Sequence, residues 1–398
     1  MPHTARLRQL REMIAAAELE ALVCQLPHHV LLLSGYFPVL GQSLAVLPAA
    51  GDALLIVPEA EVRFARQGWI SDIRPYLPAS LEEIQPTADV LAARLADACR
   101  ERGLATARLG FEGSPTNVPA PYLEFLVPGC AAHGMWRELL PGAQWSDAIA
   151  LLDEAMLCKT PGEVARIRQA CWLGGLGMEA ARAMVRPGVR EVEVAAAAYA
   201  AMTCGGAAVE GLHRADAWAF CRSGPRAAEA FEPYQFSTDR PLQPGDVVLV
   251  HINCHLDGYW TDLTRTFFVG EPAGTARRAY AAVLDAWGRA VQATSAGICA
   301  AAVDEEARSC LRQQGFGDAY RHLTGHGVGF RAIGHGIRPI IHPASTERLR
   351  PGMVFNIEPA VYLPEQFGIR LCDVIAVGED TADLLSDIPR DMAWAVCG

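Results

Sequence analysis

The segment GDVVLVHINCHLDGYWTDLTRTFFVG, residues 245–270, sets His251, Asn253, His255, Asp262 and Thr264 among apolar, β-forming residues. An imidazole and a carboxylate in such a setting suit either metal ligation or proton transfer. Asp257-Gly258 is a two-residue hairpin signal. If these residues form the turn, Asn253 faces Asp262, His255 faces Trp260 and His251 faces Thr264, and the five polar side chains share one face of the ribbon. His251 and Asp262 are then diagonal neighbours about 7–8 Å apart between backbones, close enough to share an ion. Ile252, Cys254 and Leu256 point the other way. The same residues would also serve as a hydrogen-bonded polar face of a sheet.

A second cluster is His322-Leu-Thr-Gly-His326-Gly-Val-Gly, followed by His335 and His342. Paired histidines four apart on a helix make a metal site, but Gly325, Gly327 and Gly329 place His326 in a loop or strand that other backbone approaches closely. A third is GMVFNIEPAVYLPEQFGIRLCDVIAVG, where Glu358 and Cys372 interrupt apolar alternation. A carboxylate in a core-like strand needs a partner, because an unpaired buried charge is costly. A buried Cys is most often core filling.

Together these segments resemble the "pita-bread" family (M24) of Xaa-Pro aminopeptidases, prolidases, methionine aminopeptidases and creatinase. The resemblance rests on Asp-Gly-Tyr-x-x-Asp-x-Thr-Arg-Thr from Asp257, His-x-x-Gly-His-Gly-x-Gly from His322, Gly-Met-x-x-x-x-Glu-Pro from Gly352 and Gly-x-Arg-x-x-Asp from Gly368. It implies a pair of divalent metals held by Asp, Asp, His, Glu and Glu. Here the first Asp position is His251 and the last Glu position is Cys372, while Asp262, His326 and Glu358 are retained. The altered set carries less negative charge and lacks a bridging carboxylate. It implies one divalent metal, zinc or iron, on His251, Asp262, His326, Glu358 and Cys372, with a metal-free site as the alternative.

The resemblance also assigns catalytic roles to His322, His335 and Glu358; Tyr234 and His255, with Glu232, could stand in for a missing base and are candidate substrate contacts, as are Arg331 and Arg370, whose guanidinium groups suit a substrate carboxylate. Arg338 is a further candidate for gripping a carboxylate. The His that relatives use for proton transfer is replaced by Phe231 or Tyr234, depending on how an insertion is counted. In the loop Ser34 to Ser43, Tyr36 and Phe37 are expected either to wall a neighbouring subunit's pocket or to pack locally. The function implied is hydrolysis of a C–N bond in a short peptide or amide-like compound. The alternatives are metal-independent, creatinase-like catalysis on a small nitrogenous compound and a non-catalytic binding module.

The elements that must position these residues fall into two parts. Residues 1–155 alternate helical and strand-like segments, an α/β domain with a mixed sheet that resembles the creatinase/prolidase N-terminal domain. Residues 156–398 read as long Ala-rich helices followed by antiparallel strands, with strands again expected from His322 to Gly378, so the chain as a whole is α+β. Thr160-Pro161-Gly-Glu163 reads as a capping box with Pro in the first turn, which starts a helix at the domain boundary.

With 398 residues, 51% hydrophobic, the chain can bury a large core, and a mostly disordered protein is excluded. Its net charge of −11 would repel a polyanion, so nucleic acid is not an expected partner. No apolar stretch reaches the roughly 18 residues of a membrane span. The twelve cysteines show no C-x-x-C pair and suit a reducing, cytoplasmic setting. The resemblance adds a homodimer acting on a small-molecule or short-peptide substrate.

Overall fold

The structure is a computed structural model that describes all residues except 1, 40–41, 79–80, 114–128, 233–235, 332–333 and 335. It divides into two compact units, Met1–Met156 and Leu157–Gly398.

The first unit runs α1 (Pro2–Ala16), β1 (Ala21–Cys24), α2 (Pro27–Ser34), β2 (Leu44–Pro48), β3 (Leu54–Pro58), α3 (Val62–Ala65), β4 (Asp72–Tyr76), α4 (Thr87–Glu101), β5 (Arg108–Phe111), α5 (Gly129–Leu139) and β6 (Gln144–Asp147). A further helix, α6 (Ile149–Leu157), closes it. The sheet has the order β4-β3-β2-β1-β5-β6 and is mixed: β1 pairs antiparallel with β2 and parallel with β5. The run HVLLL, apolar enough for a buried strand, is helical in α2, because Pro27 at the first helical turn fixes the backbone for a helix. Tyr36 is buried with its hydroxyl on Glu61, whose carboxylate also accepts Val39 N–H at 2.8 Å, so within this unit its role is local packing.

The second unit opens with α7 (Pro161–Met184) and α8 (Glu191–Ala207). The capping box at α7 is complete: Thr160 Oγ1 accepts Glu163 N–H at 3.3 Å and Glu163 Oε2 accepts Thr160 N–H at 2.7 Å. Thr160→Ala is expected to cost about 1 kcal/mol of stability, read from the urea midpoint. Then come β7 (Ala215–Ser223), β8 (Val247–Leu256) and β9 (Tyr259–Val269), the helices α9 (Gly274–Gln292) and α10 (Ala300–Gln313), and the strands β10 (Val354–Ile357), β11 (Ala360–Leu363), β12 (Phe367–Arg370), β13 (Asp373–Val377) and β14 (Ala382–Leu384). The short α11 (Met392–Ala395) leads to β15 (Val396–Cys397), which pairs with β9. Alanines along α9 and α10, among them Ala279, Ala286 and Ala307, are fully buried in a core shared with Phe355, Ile357, Tyr362 and Ile369.

Asp257 and Gly258 both have positive φ, 46° and 81°, as a twisted two-residue turn requires. The β8–β9 register follows: Asn253 opposes Asp262, His251 opposes Thr264 and His255 opposes Trp260. Between residues 321 and 353 the described backbone forms no strand, where the sequence suggested one. Single bridges hold it instead, Gly325 to Ile341 and Gly327 to Phe355. A Cβ on Gly325 would collide with the Asn356 carbonyl, and one on Gly327 with that of Arg338. Gly325→Ala is therefore expected to lower stability by at least about 1–3 kcal/mol, measured by urea unfolding.

Candidate active site

Three structural pieces meet at one buried point. The β8–β9 hairpin supplies His251 and Asp262, the glycine-rich loop supplies His326, and the turns around β10 to β13 supply Glu358, Arg370 and Cys372. A bridge between Thr264 and Cys372 joins the first piece to the third, and the Gly327–Phe355 bridge joins the second to the third. All six side chains are buried, from 0% exposure at Cys372 to 7% at Arg370.

The hydrogen bonds fix the tautomer of His251. His251 Nδ1 lies 3.0 Å from Arg370 Nη2, which can only donate, and 2.9 Å from Thr264 Oγ1, which itself accepts Arg370 Nε at 3.1 Å. Nδ1 is therefore an acceptor, and Nε2–H donates to Asn253 Oδ1 at 2.8 Å. Burial, helped by the nearby Arg370 charge, lowers His251 to about 4 against the pull of Asp262, so the ring is neutral. His326 donates from Nδ1 to the Gly327 carbonyl at 3.1 Å, which turns Nε2 toward Asp262 Oδ2 at 3.4 Å and Glu358 Oε1 at 4.0 Å. Burial opposes its protonation, but the hydrogen bond and charge of Asp262, with Glu358 behind, raise it above the ordinary imidazole value.

The two carboxylates are driven apart. Burial would raise Asp262, yet His251, His326 and Arg370 hold it below the usual carboxylate range. Burial and the Asp262 charge push Glu358 up to about 7, against the pull of Arg370 and His326. Burial also raises the Cys372 thiol well above its ordinary value, with Asp262 and Glu358 adding to it. The neutral thiol lies 3.3 Å from the Asp262 carbonyl and 3.5 Å from Asn356 Nδ2.

Two residues that the sequence reading passed over complete the arrangement. Asn356 accepts His326 N–H at 2.7 Å and places Nδ2 3.3 Å from His326 Nε2. The Tyr362 hydroxyl lies 3.0 Å from His322 Nε2 and 3.5 Å from Arg370 Nη1. His322 donates from Nδ1 to the Leu323 carbonyl at 2.7 Å, so its Nε2 accepts from Tyr362. Beneath this loop Asp304, fully buried on α10, accepts Thr324 Oγ1 and Arg308 Nε at 2.7 Å each, and Arg308 reaches the His322 carbonyl at 2.6 Å. An Asn within an apolar strand was the one signal that pointed to Asn356.

Other expected site residues sit elsewhere or do other work. His255 accepts Gly258 N–H at 3.1 Å and packs against Trp260 with the rings tilted, bracing the hairpin turn where a substrate contact was expected. Arg370 was expected to grip a substrate carboxylate, but its guanidinium is engaged with His251, Thr264 and Tyr362 and lies 3.9 Å from Glu358. Phe231 packs on Tyr362, ring centroids 5.4 Å apart, beside the cluster. Arg338 pairs with Glu347 and Arg331 is buried. Tyr234 and His335 lie outside the described residues.

A pair of metals does not fit this donor set. Of the carboxylates such a pair requires, only Asp262 and Glu358 are present, and His251, which was expected to ligate, has both ring nitrogens committed to protein partners. Among the described residues, no three His, Cys, Asp or Glu side chains form a ready-made metal cage.

The chain as a whole is similar to known proteins. The description "Metallopeptidase family M24" matches residues 165–379, and "Creatinase/Prolidase N-terminal domain" matches residues 6–155. An Xaa-Pro dipeptidase of Pyrococcus furiosus is 32% identical over 242 residues, 61% of this chain and 66% of that protein, so the match spans just under two thirds of the relative's length. A solved Xaa-Pro dipeptidase from Bacillus anthracis superposes with a TM-score of 0.78 over 99% of each chain at 22% identity, a likeness of fold. Dipeptidase PepE from Mycobacterium ulcerans gives a TM-score of 0.72 at 26% identity, covering 99% of this chain and 97% of its own. With the family description matching more than half of its length and a creatinase-type unit ahead of it, this α+β chain belongs to metallopeptidase family M24, the pita-bread family.

Proposed function

We propose that the chain is a hydrolase that cleaves a C–N bond in a short peptide, of the Xaa-Pro type, or in a small amide-like compound. The observation that carries this reading is the convergence of Asp262, His326, Glu358 and Arg370 on one buried point, with His322 at its edge. Its relatives bear the names Xaa-Pro dipeptidase and dipeptidase, which supports the same class of bond.

The groups divide the work as their environments dictate. Glu358, raised to about 7, is poised to take a proton from water near neutral pH and return it to the leaving nitrogen. His326, whose affinity for a proton Asp262 raises above the ordinary imidazole value, donates from Nε2 in its protonated form to the oxygen on which charge develops. Arg370 adds a fixed positive charge beside Glu358, and Tyr362 sets the orientation of His322 at the rim. Trp218 and Phe220, ring centroids 6.0 and 5.0 Å from His251, form an apolar wall.

One divalent ion, zinc or iron, is the second reading. It is favoured by an Nε2 of His326 that faces both Asp262 and Glu358. Those three residues, with Cys372 behind them, would hold the ion, which would supply a Lewis acid and lower the pKa of a water to about 7. Elemental analysis of chain expressed without added metal, paired with assay of Xaa-Pro dipeptides and small amides before and after chelation, separates the readings. Activity that survives chelation in protein with less than about a tenth of an ion per chain is expected from the protein-only reading and sinks the metal one. No turnover of any member of the panel by folded protein, with or without metal, sinks the hydrolase itself and leaves a binding role.

The same reading places the chain in the cytoplasm as a homodimer, without nucleic-acid or membrane partners. The net charge of −11 supports the lack of a nucleic-acid partner, and among the described residues no helix is long and apolar enough to cross a membrane. Light scattering and cell fractionation test it.

A further inference from the structure

We propose that this site accepts at most one divalent cation, because a hydrogen-bonded His251–Arg370 pair stands in the part of the pocket where a second ion would need ligands. The inference concerns occupancy and does not depend on which bond is cleaved.

Three observations carry it. First, His251 has no nitrogen to offer. Nδ1 accepts from Arg370 Nη2 at 3.0 Å and from Thr264 Oγ1 at 2.9 Å, while Nε2–H is donated to Asn253 Oδ1 at 2.8 Å. Asn253 is itself held in place, its Nδ2 donating to the Thr261 carbonyl at 3.3 Å, so the ring cannot flip without breaking the next bond in the chain. Ligation through Nδ1 would expel a guanidinium; ligation through Nε2 would strand a fully buried amide oxygen.

Second, the resident cation is permanent. Arg370 stays charged at any working pH, and its guanidinium is pinned from several directions, by Thr264, His251, Tyr362 and the Ala230 carbonyl. It lies 3.9 Å from Glu358, so one carboxylate of the pocket already has a cationic partner. Asp262 and Glu358 supply two negative charges, and Arg370 returns one positive. A single dication reverses the remaining charge; a second would face a net positive pocket with no carboxylate left to meet it.

Third, Cys372 does not stand in for a bridging carboxylate. Its single sulfur donates toward the Asp262 carbonyl at 3.3 Å, lies 3.5 Å from Asp262 Oδ1, and receives Asn356 Nδ2 at 3.5 Å. With both neighbours already on it, the sulfur would have to give up its contacts to Asp262 and Asn356 before it could bridge two ions.

The test is metal binding by the full chain, read without reference to activity. Chain stripped with a chelator is titrated with Mn²⁺, followed by calorimetry for stoichiometry and by electron paramagnetic resonance for coupling between ions. The expected result is a stoichiometry no greater than one at the site and no exchange-coupled signal. The double variant His251→Asp/Cys372→Glu, which returns two carboxylates and frees Arg370 from the imidazole, is expected to take up one ion more than the native chain. Two ions in the native chain with a coupled spectrum would overturn the proposal, as would a folded double variant that binds no more than the native protein. A measurement on the native chain covers the case in which the double variant does not fold. With ¹⁵N-labelled histidine, His251 is expected to keep its protonated Nε2 and an unligated acceptor Nδ1 in saturating ¹¹³Cd²⁺, with no ¹⁵N–¹¹³Cd coupling. A metal–nitrogen coupling at His251 Nδ1 would refute the inference.

Discussion

Glu358→Gln is expected to lower kcat/KM by roughly 10³-fold or more while leaving the fold intact, since general acid–base groups contribute about 10²–10⁴-fold. Gln preserves the volume and one acceptor oxygen of a buried side chain but can neither take nor return a proton. The pH profile gives the sharper readout. In the native chain Glu358 titrates at about 7 through burial and the neighbouring Asp262 charge, so the rate should climb as pH rises through that value and the carboxylate forms. The limb should disappear in the Gln variant. A variant that retains the native profile would remove Glu358 from the chemistry and leave it a purely structural partner of Arg370. Circular dichroism and the urea midpoint establish that the comparison is between folded proteins.

The largest stability effect is expected at Asp373, next to the site in sequence but turned away from it. Its carboxylate is fully buried and accepts Arg265 Nη2 at 2.7 Å, Arg390 Nε at 2.6 Å and Ser386 Oγ at 2.5 Å, while Arg265 also donates to the Thr264, Cys372, Ile388 and Pro389 carbonyls. Asp373→Ala leaves the Arg265 guanidinium buried without its counter-charge, which typically costs about 3–5 kcal/mol. Urea unfolding of the second unit should register the loss, and a change below about 1 kcal/mol would show that the arginines re-pair. The pH dependence has a definite sign. Burial would raise Asp373, but Arg265 and Arg390 overcome it and hold the carboxyl below its ordinary value. Its contribution is therefore complete above the unfolded carboxyl pKa and is lost as pH falls through the folded one. The variant should lack that acid-induced component.

The parts of the site that were legible in the sequence are those governed by short-range rules. Asp257-Gly258 dictates a two-residue turn, and the turn alone fixes which residues of β8 and β9 face one another, so the neighbourhood of His251 and Asp262 could be derived. Thr160 and Glu163 announce a helix start in the same local way. Gly325 and Gly327 signal close backbone approach, although nothing nearby says that the approaching chain carries Asn356 and Arg338. The rest depends on long-range pairing. Tyr362 reads as an ordinary β residue until β11 is set against the His322 loop, and Asp304 as a helix-surface charge until α10 is covered. Arg370 looks like a group for a substrate; only the fold reveals that a neutral imidazole has claimed it.

The single-residue bridges Thr264–Cys372 and Gly327–Phe355 have a kinetic consequence. The hairpin bearing Asp262 closes locally, but the turns bearing Glu358 and Cys372 arrive from about a hundred residues farther along the chain and carry a larger loop-closure cost. Each junction rests on only two or three backbone hydrogen bonds, so it gains little until its neighbours are in place. Acid–base competence should therefore be among the last properties to appear during refolding, after most helical signal has returned. Turnover becomes a clock for the final docking of the sheets.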